Sequence, residues 1–195
     1  MLGLARPAWS NVLMEQLWFF VGVLTAIALD SPLRYIARSL KSRNAVKPNL
    51  TVFVWQLFLI VLLIEFWVAS ISLSNTAMGL GQFLLFLLLP FGAMVLSSLS
   101  SPTVEPGSDQ YAEFVAEKLP FFLILAALPT ISVLREIFAG ESIPFDADLV
   151  FRILVFVGAL IGIVLRSPQL LATHAVAMLV LMTTYLFAVY GSVPV

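Results

Sequence analysis

The sequence has no cysteine, a single histidine, and charged residues at only 11% of its 195 positions. Without cysteine there are no disulfides, no thiol catalysis and no thiolate metal site, and the redox compartment stays unread. One histidine, His174, rules out a bis-histidine haem or a histidine-rich metal site within the chain. It leaves at most a single axial ligand to a haem or pigment; a packed imidazole is the plainer reading, and no cofactor is expected. The scarcity of charge decides the class. A soluble domain carries roughly 25% charged and 45–50% apolar residues, whereas this chain is 61% hydrophobic. It lacks the polar atoms to cover a soluble surface. A net charge of −1 offers no electrostatic footprint for nucleic acid.

Other machinery is missing as well. No lysine lies inside an apolar run, so a retinal Schiff base has no attachment point, and no run carries the regularly spaced arginines of a voltage sensor. There is no glycine-rich phosphate loop, no HExxH and no serine nucleophile elbow. The expectation is a protein that is not an enzyme.

What is present is apolar length. Crossing a bilayer takes about 20 mostly apolar residues in a helix. Six segments meet or approach that: 12–29, 52–73, 78–99, 120–138, 149–165 and 170–190. They are continuously apolar rather than alternating, and lipid leaves no backbone group unpaired, so helices are expected over strands. The fold class is all-α, a polytopic transmembrane bundle of about six spans with short loops, forming one domain over residues 1–195. Leu17 to Leu29 resembles the core of a secretory signal, but Glu15 precedes it with only Arg6 to make that flank basic, so it reads as a retained first span.

Seven of the ten basic residues fall on one side of a six-span arrangement: Arg34, Arg38, Lys41, Arg43, Lys47, Lys118 and Arg166. The positive-inside rule makes that side cytoplasmic, with the loop 31–50 inside and both termini outside. Arg34, Arg38 and Lys41 recur at i, i+4 and i+7, with Leu33, Ile36, Ala37 and Leu40 opposite. With Arg43 and Lys47 they form a basic face suited to anionic lipid headgroups or to a partner protein. Simple positive-inside anchoring is the plainer reading.

Glu65 is the residue of most interest. It lies in the second span about 12 Å from its outer end at ~1.5 Å per residue. An ionisable group at that depth is costly and a functional candidate by default. Arg135 and Arg152 in the fourth and fifth spans are its plausible partners, while Glu136 should point about 100° away from Arg135. A pathway carboxylate and a pair that only fixes packing both remain open. Pro90 and Pro129 remove backbone donors near mid-membrane and predict kinks, which line sites in some transporters. Gly158 and Gly162 form a small-xxx-small pair that permits close helix approach, within the bundle or between subunits.

The stretches Glu65-Phe-Trp-Val68, Gln82-Phe-Leu-Leu-Phe-Leu-Leu-Leu-Pro90 and Tyr111-Ala-Glu-Phe-Val-Ala-Glu-Lys-Leu-Pro-Phe-Phe122 resemble a family of uncharacterised bacterial six-helix integral inner-membrane proteins. The resemblance covers about residues 17–137. It departs at Glu65, where an amide is usual, and in the sparse basic residues before Phe121-Phe122. It implies a bacterial inner-membrane location and architecture and supplies no activity. Two functions are carried forward. The expected one is a non-catalytic accessory or scaffold subunit associating laterally with a larger membrane complex or with itself. The other is a small transporter or channel using Glu65 and the kinked third and fourth spans.

Overall fold

In the computed structural model of the chain, residues 8–41, 49–73, 80–105, 107–140 and 142–190 are described. Among them the chain is entirely helical: α1 (Ala8–Lys41), α2 (Leu50–Leu73), α3 (Leu80–Leu99), α4 (Gln110–Ala116), α5 (Lys118–Ala139), α6 (Ala147–Val164) and α7 (Pro168–Tyr190). All but α4 are long and apolar enough to cross a bilayer. This is the architecture of a multi-pass membrane protein, with backbone groups satisfied inside each helix.

The first helix departs from the expected span. It does not stop near Leu29 but runs on through Asp30-Ser-Pro32 to Lys41 as one helix of 34 residues. At ~1.5 Å per residue that is longer than the ~30 Å hydrocarbon layer, so the helix outruns the bilayer. The Arg34, Arg38 and Lys41 face is therefore an extension of a spanning helix and not a separate surface helix. Its buried side is Pro32, Tyr35 and Ser39, while Leu33 and Leu40 are exposed. Arg43 and Lys47 lie outside the described residues, as does Met78 at the expected start of the third span.

α2 is the most enclosed spanning helix and α6 the least. α2 packs against α1, α3 and α7, and α5 packs against α3 and α6. Trp55, Phe58, Leu59, Leu62 and Leu63 of α2 are all buried. Trp55 meets Phe58, Phe121 and Phe122 edge-on, with ring centroids 5.1–5.3 Å apart, the arrangement aromatic quadrupoles favour. Gly92 lets α3 approach α5, since a Cβ there would sit 2.6 Å from Leu128. Both α3 and α5 run through their prolines, Pro90 and Pro129, without a break in the helix.

Helix ends are set by local chemistry. The Asp109 carboxylate caps α4 by accepting from the Ala112 amide, and Asp146 caps α6 by accepting from Leu149. Gly140 closes α5 in the left-handed conformation at φ 70°. At the basic end, Gln110 of α4 accepts from the Tyr35 hydroxyl at 2.8 Å and from the Asn49 amide at 3.0 Å. That pins the short helix to α1 and to the start of α2.

Candidate functional site

The helix ends opposite the basic segment bring the sparse charges together. Glu65 of α2, Arg135 of α5 and Arg152 of α6 line one cavity of about 200 Å³. Tyr185 and Tyr190 of α7 and Pro129 of α5 line it too. Arg135 lies one turn from the end of α5, Arg152 in the second turn of α6, and Tyr185 and Tyr190 in the last turns of α7. An up-and-down topology stacks these ends on one side of the bundle.

The partnerships differ from those expected. Among the described residues neither arginine pairs with Glu65. Arg152 pairs with Asp148 one turn earlier on α6, and through Nη1 with Glu136 of α5 at 2.7 Å. Arg135 reaches the same Glu136 oxygen at 3.4 Å and lies over the Phe86 ring, 6.0 Å from its centroid. The anticipated divergence of Glu136 from Arg135 does not keep them apart, because long side chains close the gap. The Tyr185 hydroxyl donates to Asp148 at 2.6 Å. Glu65 is only 7% exposed and accepts one long hydrogen bond, 3.4 Å, from the Tyr190 hydroxyl.

The site therefore has two parts. Glu136, Asp148, Arg135 and Arg152 form a linked set of two anions and two cations. Glu65 stands apart from it, so with every group ionised the cluster carries three carboxylates against two guanidiniums, one negative charge in excess. A buried carboxylate without an ionic partner is costly. Asp148 is 27% exposed along its side chain, which gives the cluster a route to the surface.

Asp148, Tyr185 and Tyr190 are functional candidates that sequence reasoning missed. Asp148 had a signal, since it stands four residues before Arg152 and an i, i+4 acid–base pair shares a helix face. The tyrosines had none beyond their place in the last span.

The remaining candidates lie elsewhere. Other polar side chains within the spans, Gln56, Gln82 and Thr130, do not line the cavity. Gln56 donates to the Ser100 hydroxyl at 3.1 Å, and Ser101 donates to Gln56 at 3.3 Å, in a small polar network near the basic end that also includes Ser31. Thr130 bonds back to Ala126 of its own helix. The aromatic core around Trp55 lies at about the same depth as that network, since Trp55 adjoins Gln56 on α2. His174 donates through Nε2 to the Gly158 carbonyl at 2.9 Å and packs beside the Trp55 and Phe122 rings, its Nδ1 buried without a partner. Gly158 faces Met178 of α7 and Gly162 faces Phe122 of α5, so this small-residue pair serves packing inside the bundle. Arg34 makes an exposed pair with Asp30 at 2.7 Å, and Arg38 and Lys41 are exposed beyond it.

No family model, no curated protein and no solved structure matches this chain.

Proposed function

We propose that this membrane protein is a small transporter whose substrate chamber is the cavity holding Glu65, and that it does no covalent chemistry on what it carries. The observation that carries this reading is the cavity itself. Five ionisable side chains from three spanning helices converge beside about 200 Å³ of space in an otherwise apolar bundle. Charges inside a bilayer are costly and are characteristic of substrate and ion pathways. Fully buried Phe58 and Leu59 on α2, and Phe121 and Phe122 on α5, lie between the basic end and the first chamber-lining residues, Leu62 and Leu125. That suits a carrier that opens to one side at a time better than a channel with a continuous wet path. Pro129 lines the chamber, and Pro90 lies two residues from the Gly92–Leu128 contact. Their missing backbone bonds supply points where α3 and α5 can bend.

The accessory-subunit reading rests on exposed apolar faces such as that of α6, which lipid covers as well as a partner would. It therefore has no observation of its own. In the proposed setting, a bacterial inner membrane, Arg34, Arg38 and Lys41 meet anionic headgroups on the cytoplasmic side and the chamber faces outward.

Uptake into proteoliposomes tests the proposal, using labelled choline, arginine, succinate, phosphate and glucose as probes. Protein-dependent, saturable uptake of one class that drops in an Arg152→Gln variant is the expected result. No uptake of any probe, together with a stoichiometric partner complex recovered from native membranes, would overturn it in favour of the subunit reading.

A further inference from the structure

We infer that the occupant of this chamber is a small organic cation with a single positive charge, held by the Glu65 carboxylate within an aromatic wall. The inference rests on the chamber reading above and names its ligand class. Three features carry it.

The first is where the excess charge resides. Arg152 directs Nε and Nη2 to Asp148 and Nη1 to Glu136, so each of its three nitrogens already faces a carboxylate. Arg135 is engaged by Glu136 on one side and by the Phe86 ring on the other. These four charges cancel within their own set. Among the described residues Glu65 is the acceptor left over, with only the 3.4 Å Tyr190 hydroxyl against it. It can be buried at low cost only if protonated or if a cation sits beside it. An anion would meet arginines whose charge Glu136 and Asp148 already balance.

The second feature is the lining. Phe66, Phe151, Tyr185 and Tyr190 line the cavity along with Glu65. Tyr185 lies 5.2 Å from Phe151 and 6.0 Å from Tyr190 between ring centroids, so three of the rings form one connected wall. The Tyr185 hydroxyl is held by Asp148, which leaves its ring to act as an apolar surface. Aromatic rings joined by one carboxylate favour alkylated ammonium groups, which are weakly hydrated and attracted to ring faces.

The third is size. The volume, about 200 Å³, has room for several waters and so exceeds a bare metal ion. It is below the ~300–1,000 Å³ of sites for drug-sized ligands. A compact ammonium of a few carbons fits between these limits.

Choline and its uncharged isostere 3,3-dimethylbutan-1-ol are the discriminating probes, with acetate as the anion control. The purified wild-type protein in lipid nanodiscs is titrated with each and its thermal midpoint followed, alongside proteoliposome uptake of labelled choline. Choline should raise the midpoint, while dimethylbutanol and acetate at equal concentration should not. Glu65→Gln should weaken choline binding at least tenfold, and Tyr190→Phe, which keeps the ring, by no more than about threefold. If Glu65→Gln does not fold, the comparison of choline with its isostere in the wild-type protein still decides. Equal stabilisation by dimethylbutanol, or preference for acetate, overturns the cation assignment while leaving a ligand chamber in place. No stabilisation by any of the three and no choline uptake overturns the cation, and the chamber falls with it only if the wider solute panel is also silent.

Discussion

Gly162 offers a sharp test of how tightly this bundle is packed. A methyl group added there would run into the Phe122 ring at a separation real Cβ atoms do not show. Phe122 has no room to retreat, since it is fully buried and packed edge-on against Trp55 and Phe121, with His174 beside it. Two effects oppose each other in Gly162→Ala. Helix propensity favours alanine by about 1 kcal/mol. Forcing an extra carbon into a filled core costs about 1–3 kcal/mol, and the closeness of this contact places it in the upper part of that range. The net expectation is a loss of about 1–2 kcal/mol, which for a chain of this size lowers the thermal midpoint by roughly 2–4 °C per kcal/mol. Thermal unfolding in mild detergent measures it. Gly81→Ala is the control, because no atom lies within 4 Å of the position its Cβ would take, and it should leave the midpoint unchanged or raise it. Phe122→Leu, introduced into the Gly162→Ala protein, should recover part of the loss by making room. A Gly162→Ala protein as stable as wild type, with Gly81→Ala behaving the same way, would refute the packing described.

Three further outcomes are expected. Gly158→Ala should be milder than Gly162→Ala in the same melt, because its methyl meets the Met178 thioether, a flexible side chain that can adapt; a larger loss at Gly158 would contradict this. Asp148→Asn removes an anion from Arg152, whose side chain is 15% exposed, and should cost about 1–3 kcal/mol, whereas Asp30→Asn breaks a pair exposed by more than half on both sides and should cost below about 1 kcal/mol; equal shifts in midpoint would count against the structural role of the charged set. Because the chain has no cysteine, Ser142→Cys and Thr103→Cys can each be labelled alone with a membrane-impermeant maleimide. Ser142, between α5 and α6, should react in intact cells and Thr103, between α3 and α4, only after lysis; the reverse pattern would invert the proposed orientation.

How far the sequence could be read depends on the range of the interaction concerned. Six continuous apolar runs are a local property, and lipid admits only one common solution for them, so the helical bundle was legible from composition and run length. The merging of the first span with the basic segment was harder. Asp30-Ser-Pro32 looks like an ending, yet proline is tolerated inside membrane helices where neighbouring groups satisfy the freed backbone, and α1 continues through it. The charged site was half legible. Glu65, Arg135 and Arg152 stood out one at a time because charge in a span is conspicuous, and an up-and-down topology places their helix ends on one side. Which acid each arginine chooses was not legible, because it depends on the rotation of α5 and α6 about their axes. Those rotations follow from contacts such as Gly92 on Leu128 and Gly162 on Phe122, which bring residues from distant parts of the chain together. The same contacts turn Arg152 toward Glu136 and leave Glu65 across the cavity with a tyrosine. The cation assignment rests on a carboxylate without an ionic partner among the described residues, and that arrangement depends on how α5 and α6 pack. A substitution at either glycine that rotates α6 should disturb ligand binding without touching any chamber residue.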